Sequence, residues 1–319
     1  MPSAEQTERF RRDVEDLAGA VPGRLGVAVS GGPDSLALLL LAQAAFPGRA
    51  EAATVDHGLR PESSGEARSV ARVCADLGVP HATLADSEAS IAGASAQSQA
   101  RSLRYRLLAG WAGERDIRLL ATAHHMDDQA ETVLMRLARG SGLAGLAAVR
   151  PRRDEGELAI LRPLLGWRRV ELATIVAEAG LAAVDDPSNR SDAYDRTRFR
   201  ALLAANGLLE APRLAASAAH LAEAEEALAW AADREWAARA AQEGTALTLD
   251  PTGLPPELLR RLVARAIGTV RGDPGWRRDK LAPAIAELLD GGRVNLGGVQ
   301  ISAGRLWRFE TEAPRRQTV

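Results

Sequence analysis

Two residue types of wide chemical use are almost absent from this chain. Cys74 is the only cysteine and Lys280 the only lysine among 319 residues. A single cysteine excludes an intrachain disulfide, a metal site built on several thiolates and catalysis by a cysteine pair. Cys74 lies in a helical pattern, which predicts a small core residue. Arginine supplies nearly all the positive charge, and arginine favours planar, bidentate contacts with phosphate.

The chain also lacks a strong net charge and a long apolar run. Its formal net charge is −2 and its hydrophobic content is 46%, which is ordinary for a globular protein. No apolar run approaches the ~20 residues of a membrane span, and residues 5–21 form an amphipathic pattern unlike a leader peptide. We therefore expect a cytoplasmic protein with no membrane contact. Evidence for nucleic-acid binding must come from local clusters of charge.

A short loop between a predicted strand and a predicted helix is the most informative segment. An apolar run at 25–29 is followed by Ser-Gly-Gly-Pro-Asp-Ser at 30–35 and by an apolar helix from 36. A glycine-rich turn into a helix directs backbone N–H groups and the positive end of the helix dipole at one point, where phosphate binds. The lysine of a Walker A loop and the dinucleotide pattern G-x-G-x-x-G are both absent. An ordinary turn without a ligand is the alternative.

The pattern Ser-Gly-Gly-x-Asp-Ser resembles the PP-loop of the ATP pyrophosphatase superfamily, whose members cleave ATP between the α- and β-phosphates. A carboxylate beside phosphates indicates a cation between them, so Asp34 is the candidate ligand of Mg²⁺. We expect ATP and Mg²⁺ as cofactors. The residues assigned to nucleotide binding in this loop are Ser30, Gly31, Gly32, Pro33, Asp34 and Ser35.

Strands and helices alternate through the first half of the chain. Strands are predicted at 25–29, 50–55, 81–84 and 118–123, and helices at 34–45, 62–77, 97–112 and 127–139. This order predicts an α/β fold with a mainly parallel sheet and helices on both faces. The remainder is predicted as a smaller, mostly helical domain with a short terminal β element. Its predicted parts are a long helix at 213–242, helices at 256–270 and 276–289, and strands within 293–309.

Ligands of parallel sheets bind where strands end. Asp56 and His57 end the second strand, beside the loop, and are assigned to nucleotide binding. After the fourth strand, His125 precedes a helix on which Asp128 and Glu131 lie near each other, off the apolar stripe. Asp127 has a simpler explanation, because aspartate is favourable at a helix start. A zinc site is disfavoured, since no third ligand cluster accompanies these residues.

Arginine-rich segments follow. Arg101, Arg104 and Tyr105 lie on adjacent faces of a predicted helix, either as a solvated basic face or as a phosphate contact. A second basic segment, at 196–200, begins another predicted helix.

The ordered series of motifs resembles the tRNA(Ile)-lysidine synthetases over roughly the first two hundred residues. The series consists of residues 30–35, 56–60, 101–105, 123–142, 161–165, 186–189 and 194–200. The family's usual Arg-Asn-x-x-Arg reads Arg-Thr-Arg-Phe-Arg at 196–200, so its asparagine is absent here.

The resemblance implies ATP-dependent ligation of free L-lysine to C2 of the wobble cytidine of tRNA(Ile) with a CAU anticodon. It proceeds through an adenylated tRNA and releases AMP and pyrophosphate. It also implies a PP-loop catalytic domain at 1–210 and a helical, tRNA-positioning domain at 211–319. Homodimerisation is left open.

Residue roles follow from the resemblance. Asp34 binds Mg²⁺ and His125 is a candidate acid or base. Asp128 and Glu131 hold either the ammonium groups of lysine or a metal, and Arg104 meets RNA or ATP phosphates. The residues assigned to the tRNA are Arg196, Arg198 and Arg200.

The same residues argue against other functions. A tRNA thiolation enzyme needs catalytic or cluster-binding cysteines, and a glutaminase-linked relative needs a cysteine nucleophile, so the lone Cys74 argues against both. A non-catalytic, nucleotide-dependent RNA-binding protein is disfavoured by the carboxylates of Asp34, Asp128 and Glu131, which weaken simple phosphate binding.

Overall fold

Helices and strands alternate in the order that the sequence predicts. The computed structural model describes residues 1–19, 23–56, 63–86, 96–183, 195–273, 276 and 279–312. The helices are α1 (Ala4–Ala18), α2 (Pro33–Ala45), α3 (Ser63–Asp76), α4 (Ala96–Glu114), α5 (Met126–Ala138), α6 (Leu143–Leu146), α7 (Arg169–Glu178), α8 (Asp195–Ala205), α9 (Ala211–Arg239), α10 (Pro256–Arg271) and α11 (Leu281–Leu289). The strands are β1 (Leu25–Ala28), β2 (Ala50–Asp56), β3 (His81–Ala85), β4 (Leu119–Ala121), β5 (Arg152–Glu155), β6 (Leu158–Leu161), β7 (Ala240–Glu243), β8 (Ala246–Leu249), β9 (Arg293–Leu296), β10 (Val299–Ser302) and β11 (Trp307–Thr311).

A six-stranded sheet with the order β3-β2-β1-β4-β6-β5 forms the centre of the first unit, Met1–Ala222. Its neighbouring strands are parallel except for β5, which runs antiparallel to β6. The carboxyl ends of β2, β1, β4 and β6 therefore lie along one edge, where ligands of parallel sheets bind. The predicted mainly parallel α/β sheet is confirmed.

Helices cover both faces of this sheet because strand side chains alternate in direction. Leu119 packs into the cluster shared by α1, α2, α3 and α7, whereas the next residue, Leu120, packs with Leu108 and Trp111 of α4. Close packing on the α4 side requires glycine at position 26, since a Cβ there would lie 3.0 Å from Ile117.

The cysteine prediction is confirmed. Cys74 is fully buried in the cluster on the α2 side. Burial raises the pKa of its thiol to about 11, so the reactive thiolate is strongly disfavoured at neutral pH.

The second unit, Glu223–Val319, contains a five-stranded antiparallel sheet with the order β7-β8-β11-β10-β9. Helices α10 and α11 share a buried cluster with this sheet. The sequence did not predict β7 and β8, because Ala240–Glu243 continues an alanine-rich helical pattern. The chain instead turns at Gly244, with φ +64°, and α9 ends at Arg239 rather than at residue 242.

Two further boundaries differ from the predictions. Helix α11 begins at Leu281 instead of Trp276. The division between the units lies within α9, whereas the predicted domain boundary near Glu210 lies just before that helix. The assignment of domain roles stays a prediction. Among the residues that the structure describes, no helix has both the length and the apolar character to cross a membrane.

Candidate active site

The predicted phosphate loop joins β1 to α2 at the ligand-binding edge of the sheet. The Ser35 hydroxyl accepts a hydrogen bond from the Ser30 backbone N–H at 3.1 Å and donates one to the Gly32 carbonyl at 2.9 Å. Gly31 has φ +87°, a conformation that residues with a Cβ rarely adopt. These hydrogen bonds and the Gly31 conformation fix the shape of the loop backbone.

The start of α2 is suited to an anion. Pro33 occupies its first turn, where the missing N–H is not needed, and Gly32 provides no side-chain cap. Within the described part of the chain, the first-turn amides of α2 therefore have no capping side chain. Such amides, together with the helix dipole, form a binding site for phosphate.

His125 connects this loop to the beginning of α5. Its side chain is only 2% exposed, and its Nε2 lies 3.4 Å from Oδ2 of Asp34 and 3.6 Å from Oδ2 of Asp128. Its Nδ1 accepts the backbone N–H of Asp128 at 3.3 Å. The ring therefore presents an Nε2 proton to the two carboxylates, which brings together three of the predicted site residues.

The carboxylates decide the protonation of His125. Burial lowers the pKa of the imidazole, but the hydrogen bond with Asp34 and the charges of Asp128, Asp34 and Asp127 outweigh it, and the pKa is raised. The surrounding aspartates thus favour the charged form of the imidazole. In this position His125 orients the Asp34 carboxylate.

Asp34 has one oxygen available for a cation. Oδ2 contacts His125, whereas Oδ1 is buried and has no hydrogen-bond partner among the described residues. A buried oxygen without a partner is costly, and a carboxylate oxygen is a preferred ligand of Mg²⁺. The residues described include no group of three or more metal-ligating side chains. A cation at Asp34 would therefore complete its coordination with phosphate oxygens and water.

Asp127 ties the start of α5 to the start of α7. Nη2 and Nε of Arg168 lie 3.1 and 3.2 Å from its carboxylate oxygens, and the Arg169 backbone N–H donates to Oδ2 at 2.8 Å. Burial alone raises the pKa of Asp127, but these bonds outweigh it and the pKa is lowered. Asp127 is a structural residue, and the Arg168 contact had no signal in the sequence.

Glu131 binds arginines. Its 2%-exposed carboxylate accepts from Nε of Arg200 at 2.8 Å and lies 3.5 Å from Nε of Arg196. Glu131 therefore joins α8 to α5. It contacts two of the three arginines that were predicted to bind the tRNA. Arg198 is exposed and lies outside this contact.

Two residues near the site, His124 and Arg162, had no role predicted from the sequence. His124 forms a 3.1 Å hydrogen bond with Thr122, and burial, opposed by Asp128 and assisted by Arg162, Arg101 and Arg196, lowers its pKa to about 4. Arg162, at the end of β6, is 3% exposed. A charged residue directly after an apolar strand was the available signal for Arg162.

The remaining predicted residues occupy separate places. Asp56 ends β2, next to β1, and accepts a 2.6 Å hydrogen bond from Ser63. Arg104 lies on α4. His57 lies outside the described residues, as do the predicted motif at 186–189 and residue 194. Their roles stay predictions.

This arrangement can bind pyrophosphate at the loop and a cation at Asp34, with an ordered set of carboxylates and arginines beside them. His124 and His125 lie next to each other, and their pKa values are shifted in opposite directions. Perturbed pKa values of this kind cluster at functional sites.

Comparisons with known proteins support this interpretation. The PP-loop domain family matches residues 4–206. The chain is 49% identical to the tRNA(Ile)-lysidine synthase of Zymomonas mobilis, over 95% of this chain and 93% of that protein. It is 44% identical to the tRNA(Ile)-lysidine synthase of Novosphingobium aromaticivorans, over 97% and 94% of the two chains.

A solved structure shares the fold. The U34-tRNA thiolase NcsA from Methanococcus maripaludis, with its [4Fe-4S] cluster, superposes with a TM-score of 0.55 over 68% of this chain and 78% of that one. The identity is 18%, so this likeness concerns the fold alone.

Proposed function

This chain belongs to the tRNA(Ile)-lysidine synthase family of PP-loop proteins, and from that premise we propose the reaction that it catalyses. It ligates L-lysine to C2 of the wobble cytidine in the CAU anticodon of tRNA(Ile). ATP adenylates the C2 oxygen and pyrophosphate leaves. The lysine amine then attacks C2 and displaces AMP. The product, lysidine, pairs with A instead of G, which changes the codon read from AUG to AUA.

One observation carries the proposal at the level of the site: Asp34, in the loop after β1, meets His125, after the adjacent strand β4, at 3.4 Å. The loop amides bind the pyrophosphate portion of ATP, and the Ser30 and Ser35 hydroxyls, which hydrogen-bond to each other and to the Gly32 carbonyl, hold the loop around it. Because these groups are already ordered by hydrogen bonds, they stabilise the leaving charge without rearranging.

Asp34 would hold Mg²⁺ through Oδ1, while His125 fixes the carboxylate through Oδ2. A bound Mg²⁺ would neutralise part of the negative charge of the pyrophosphate as it leaves. This division of the two oxygens assigns His125 a positioning role in addition to its candidate role as acid or base.

Asp128 and Glu131 differ in availability. Both Glu131 oxygens face arginines, at 2.8 Å from Arg200 and 3.5 Å from Arg196. Asp128 has an Oδ2 directed to His125 and remains partly exposed. Asp128 is therefore the better partner for a lysine ammonium group, and Glu131 orients Arg196 and Arg200 toward RNA or ATP phosphates. Arg198 and Arg104 provide further phosphate contacts.

Thiolation is the competing reaction within this fold. It needs a reactive sulfur, and the single cysteine, Cys74, is fully buried with a raised pKa. Ligation of an amine needs no sulfur, which agrees with the residues present.

The deciding experiment incubates the full-length protein with ATP, Mg²⁺, radiolabelled lysine and tRNA(Ile) that carries a CAU anticodon. We expect lysine in the tRNA in a one-to-one ratio with released AMP. The elongator tRNA(Met), with the same anticodon, is the control and should remain unlabelled. Absence of labelled tRNA(Ile) in a sample that binds ATP would contradict the proposal.

A further inference from the structure

A cleft of about 380 Å³ lies between α4 and the edge strand β5, apart from the loop at Asp34. Arg101, Tyr105 and Arg106 on α4 and Arg153 on β5 line it. None of the residues so far assigned to ATP or Mg²⁺ belongs to its lining. The cleft is therefore a candidate site for a different ligand.

Tyr105 organises the arginines of this cleft. The Cζ atoms of Arg101 and Arg153 lie 5.1 and 4.9 Å from the centroid of its ring. Nη2 of Arg101 also lies 3.4 Å from the Tyr105 hydroxyl. Contacts between guanidinium groups and an aromatic ring restrict the side chains, so the two cations are held together before any ligand arrives.

A third arginine, Arg162, also interacts with Tyr105. Arg162 is 3% exposed, and its Nη1 donates to the Arg150 carbonyl at 2.6 Å, but its buried Nε has no partner among the described residues. Burial lowers the pKa of Arg162; Tyr105 opposes this, while the charges of Arg153 and Arg101 lower it further. The three arginines thus repel one another around one tyrosine.

Acidic groups balance only part of this charge. Glu155, which also lines the cleft, pairs with Arg153, and Asp86 pairs with Arg106. Arg101 has no carboxylate partner in the described ranges. The positive field extends to the end of β4, because the charges of Arg162 and Arg101 help to lower the pKa of His124. A bound anion would relieve the repulsion, and guanidinium groups match the geometry of phosphate.

We propose that Arg101 and Arg153, with the buried Arg162 adding its charge, bind one phosphodiester group of the RNA strand that carries the reacting nucleotide. This inference rests on the proposed function, since it takes the RNA as the source of the phosphate. The triphosphate of ATP is the other source of the same chemistry. We favour the RNA because the loop after β1 already offers its backbone amides to ATP, and because an open surface cleft can admit a polymer.

The chain contains a matched control for the test. Arg152 and Arg153 are neighbours on β5, each pairs with an acidic residue two positions later, and each side chain is 43% exposed. Successive strand residues face opposite sides of a sheet, and only Arg153 lines the cleft. Arg153→Gln and Arg152→Gln therefore remove the same charge from the same strand, on and off the proposed site.

The measurement is the affinity of each full-length variant for tRNA(Ile) at several salt concentrations, and separately its affinity for ATP. We expect Arg153→Gln to weaken tRNA binding about tenfold and to reduce the salt dependence by about 0.7 in slope, the value for one lost phosphate contact on a single strand. Arg152→Gln should stay within about twofold of the wild type. ATP affinity should be unchanged in both.

Three results would overturn the inference. Equal losses in the two variants would indicate a diffuse field rather than a site. A loss of ATP affinity in Arg153→Gln would assign the cleft to the triphosphate. Unchanged tRNA binding in Arg153→Gln would show that the cleft does not bind a phosphate of the tRNA. Binding is measured without turnover, so a failure of lysine incorporation by the wild type tests the proposed function separately.

A second variant tests whether the two arginines share one phosphate. Arg101→Gln alone should weaken tRNA binding, and the double variant should lose clearly less than the product of the two single losses, because side chains on one ligand group are coupled. Strictly multiplicative losses would place Arg101 and Arg153 on different phosphates and contradict the shared site.

Discussion

The two halves of the candidate active site are built differently. The phosphate loop consists of six consecutive residues, and the hydrogen bonds that its serines make span at most five positions, as from Ser30 to Ser35. The charged half around α5 consists of side chains from four helices, and its contacts join residues 41 and 69 positions apart, as in Arg168–Asp127 and Arg200–Glu131.

Because of this difference, substitutions in the two halves should affect different properties. Local contacts shape the loop, so a substitution there should change ATP binding with limited effect on the rest of the fold. The charged half also connects α5 to α7 and α8, so a substitution there should change stability as well as chemistry. Asp34 belongs to both halves, because it lies in the loop and contacts His125.

The largest effect is expected at the residue common to both halves. Asp34→Ala should reduce AMP formation by at least about a thousandfold, because it removes the proposed Mg²⁺ ligand and its charge. The measurement is AMP released in the presence of tRNA(Ile) and lysine. Asp76→Ala, an exposed carboxylate at the end of α3, is the control and should keep full activity. Retained turnover in Asp34→Ala would remove this residue from the mechanism.

A stability measurement tests the role of the charged half in assembly. Glu131→Gln should lower the free energy of unfolding by about 1–2 kcal/mol, since two arginines lose a buried partner but stay partly solvated. Glu210→Gln, in an exposed pair with Arg213 at 3.1 Å, should cost less than about 0.5 kcal/mol. Urea-induced unfolding gives both values. Equal costs would remove the contrast between buried and exposed pairs.

A glycine pair tests the loop. Gly31→Ala and Gly48→Ala each place a Cβ at positive φ, +87° and +73°, and each should lower stability by about 1–2 kcal/mol. Only Gly31→Ala should also weaken ATP binding, because Gly48 lies in a turn after α2, away from the loop. Calorimetric titration with ATP distinguishes them. A similar loss of ATP affinity in Gly48→Ala would show that the effect comes from general destabilisation.

The smallest effect expected is a pH dependence. The pKa of His125 is raised in the folded state by neighbouring carboxylates, so its stabilising contribution is complete below the unfolded value, near 6.5, and is lost as pH rises through the folded pKa. His124 does not interfere in this range, because its pKa is lowered to about 4. The free energy of unfolding of the wild type should therefore decrease from pH 6.5 upward more steeply than that of His125→Gln. Parallel curves would contradict the coupling.

Particular residues show how far the sequence could lead. The alternation of strands and helices predicted the parallel sheet, and the loop at 30–35 was placed correctly between β1 and α2 because its features are local. In the second unit, β7 was predicted as helix, since an alanine-rich segment has helical propensity and only pairing with β8 makes it a strand. Arg162 lies in the motif at 161–165, but its role could not be predicted, because nothing near it in sequence shows that it interacts with Tyr105.

The sequence by itself determined the chemistry of the phosphate loop, because glycine, proline and serine within a few positions dictate the local backbone and its free amides. It also identified Asp34, His125 and Glu131 as candidates. Only the tertiary structure decided their partners: His125 for Asp34 and arginines for Glu131. Charge pairing at a distance in sequence depends on which strand ends and helix starts become neighbours, and that is set by sheet order and packing rather than by local propensity.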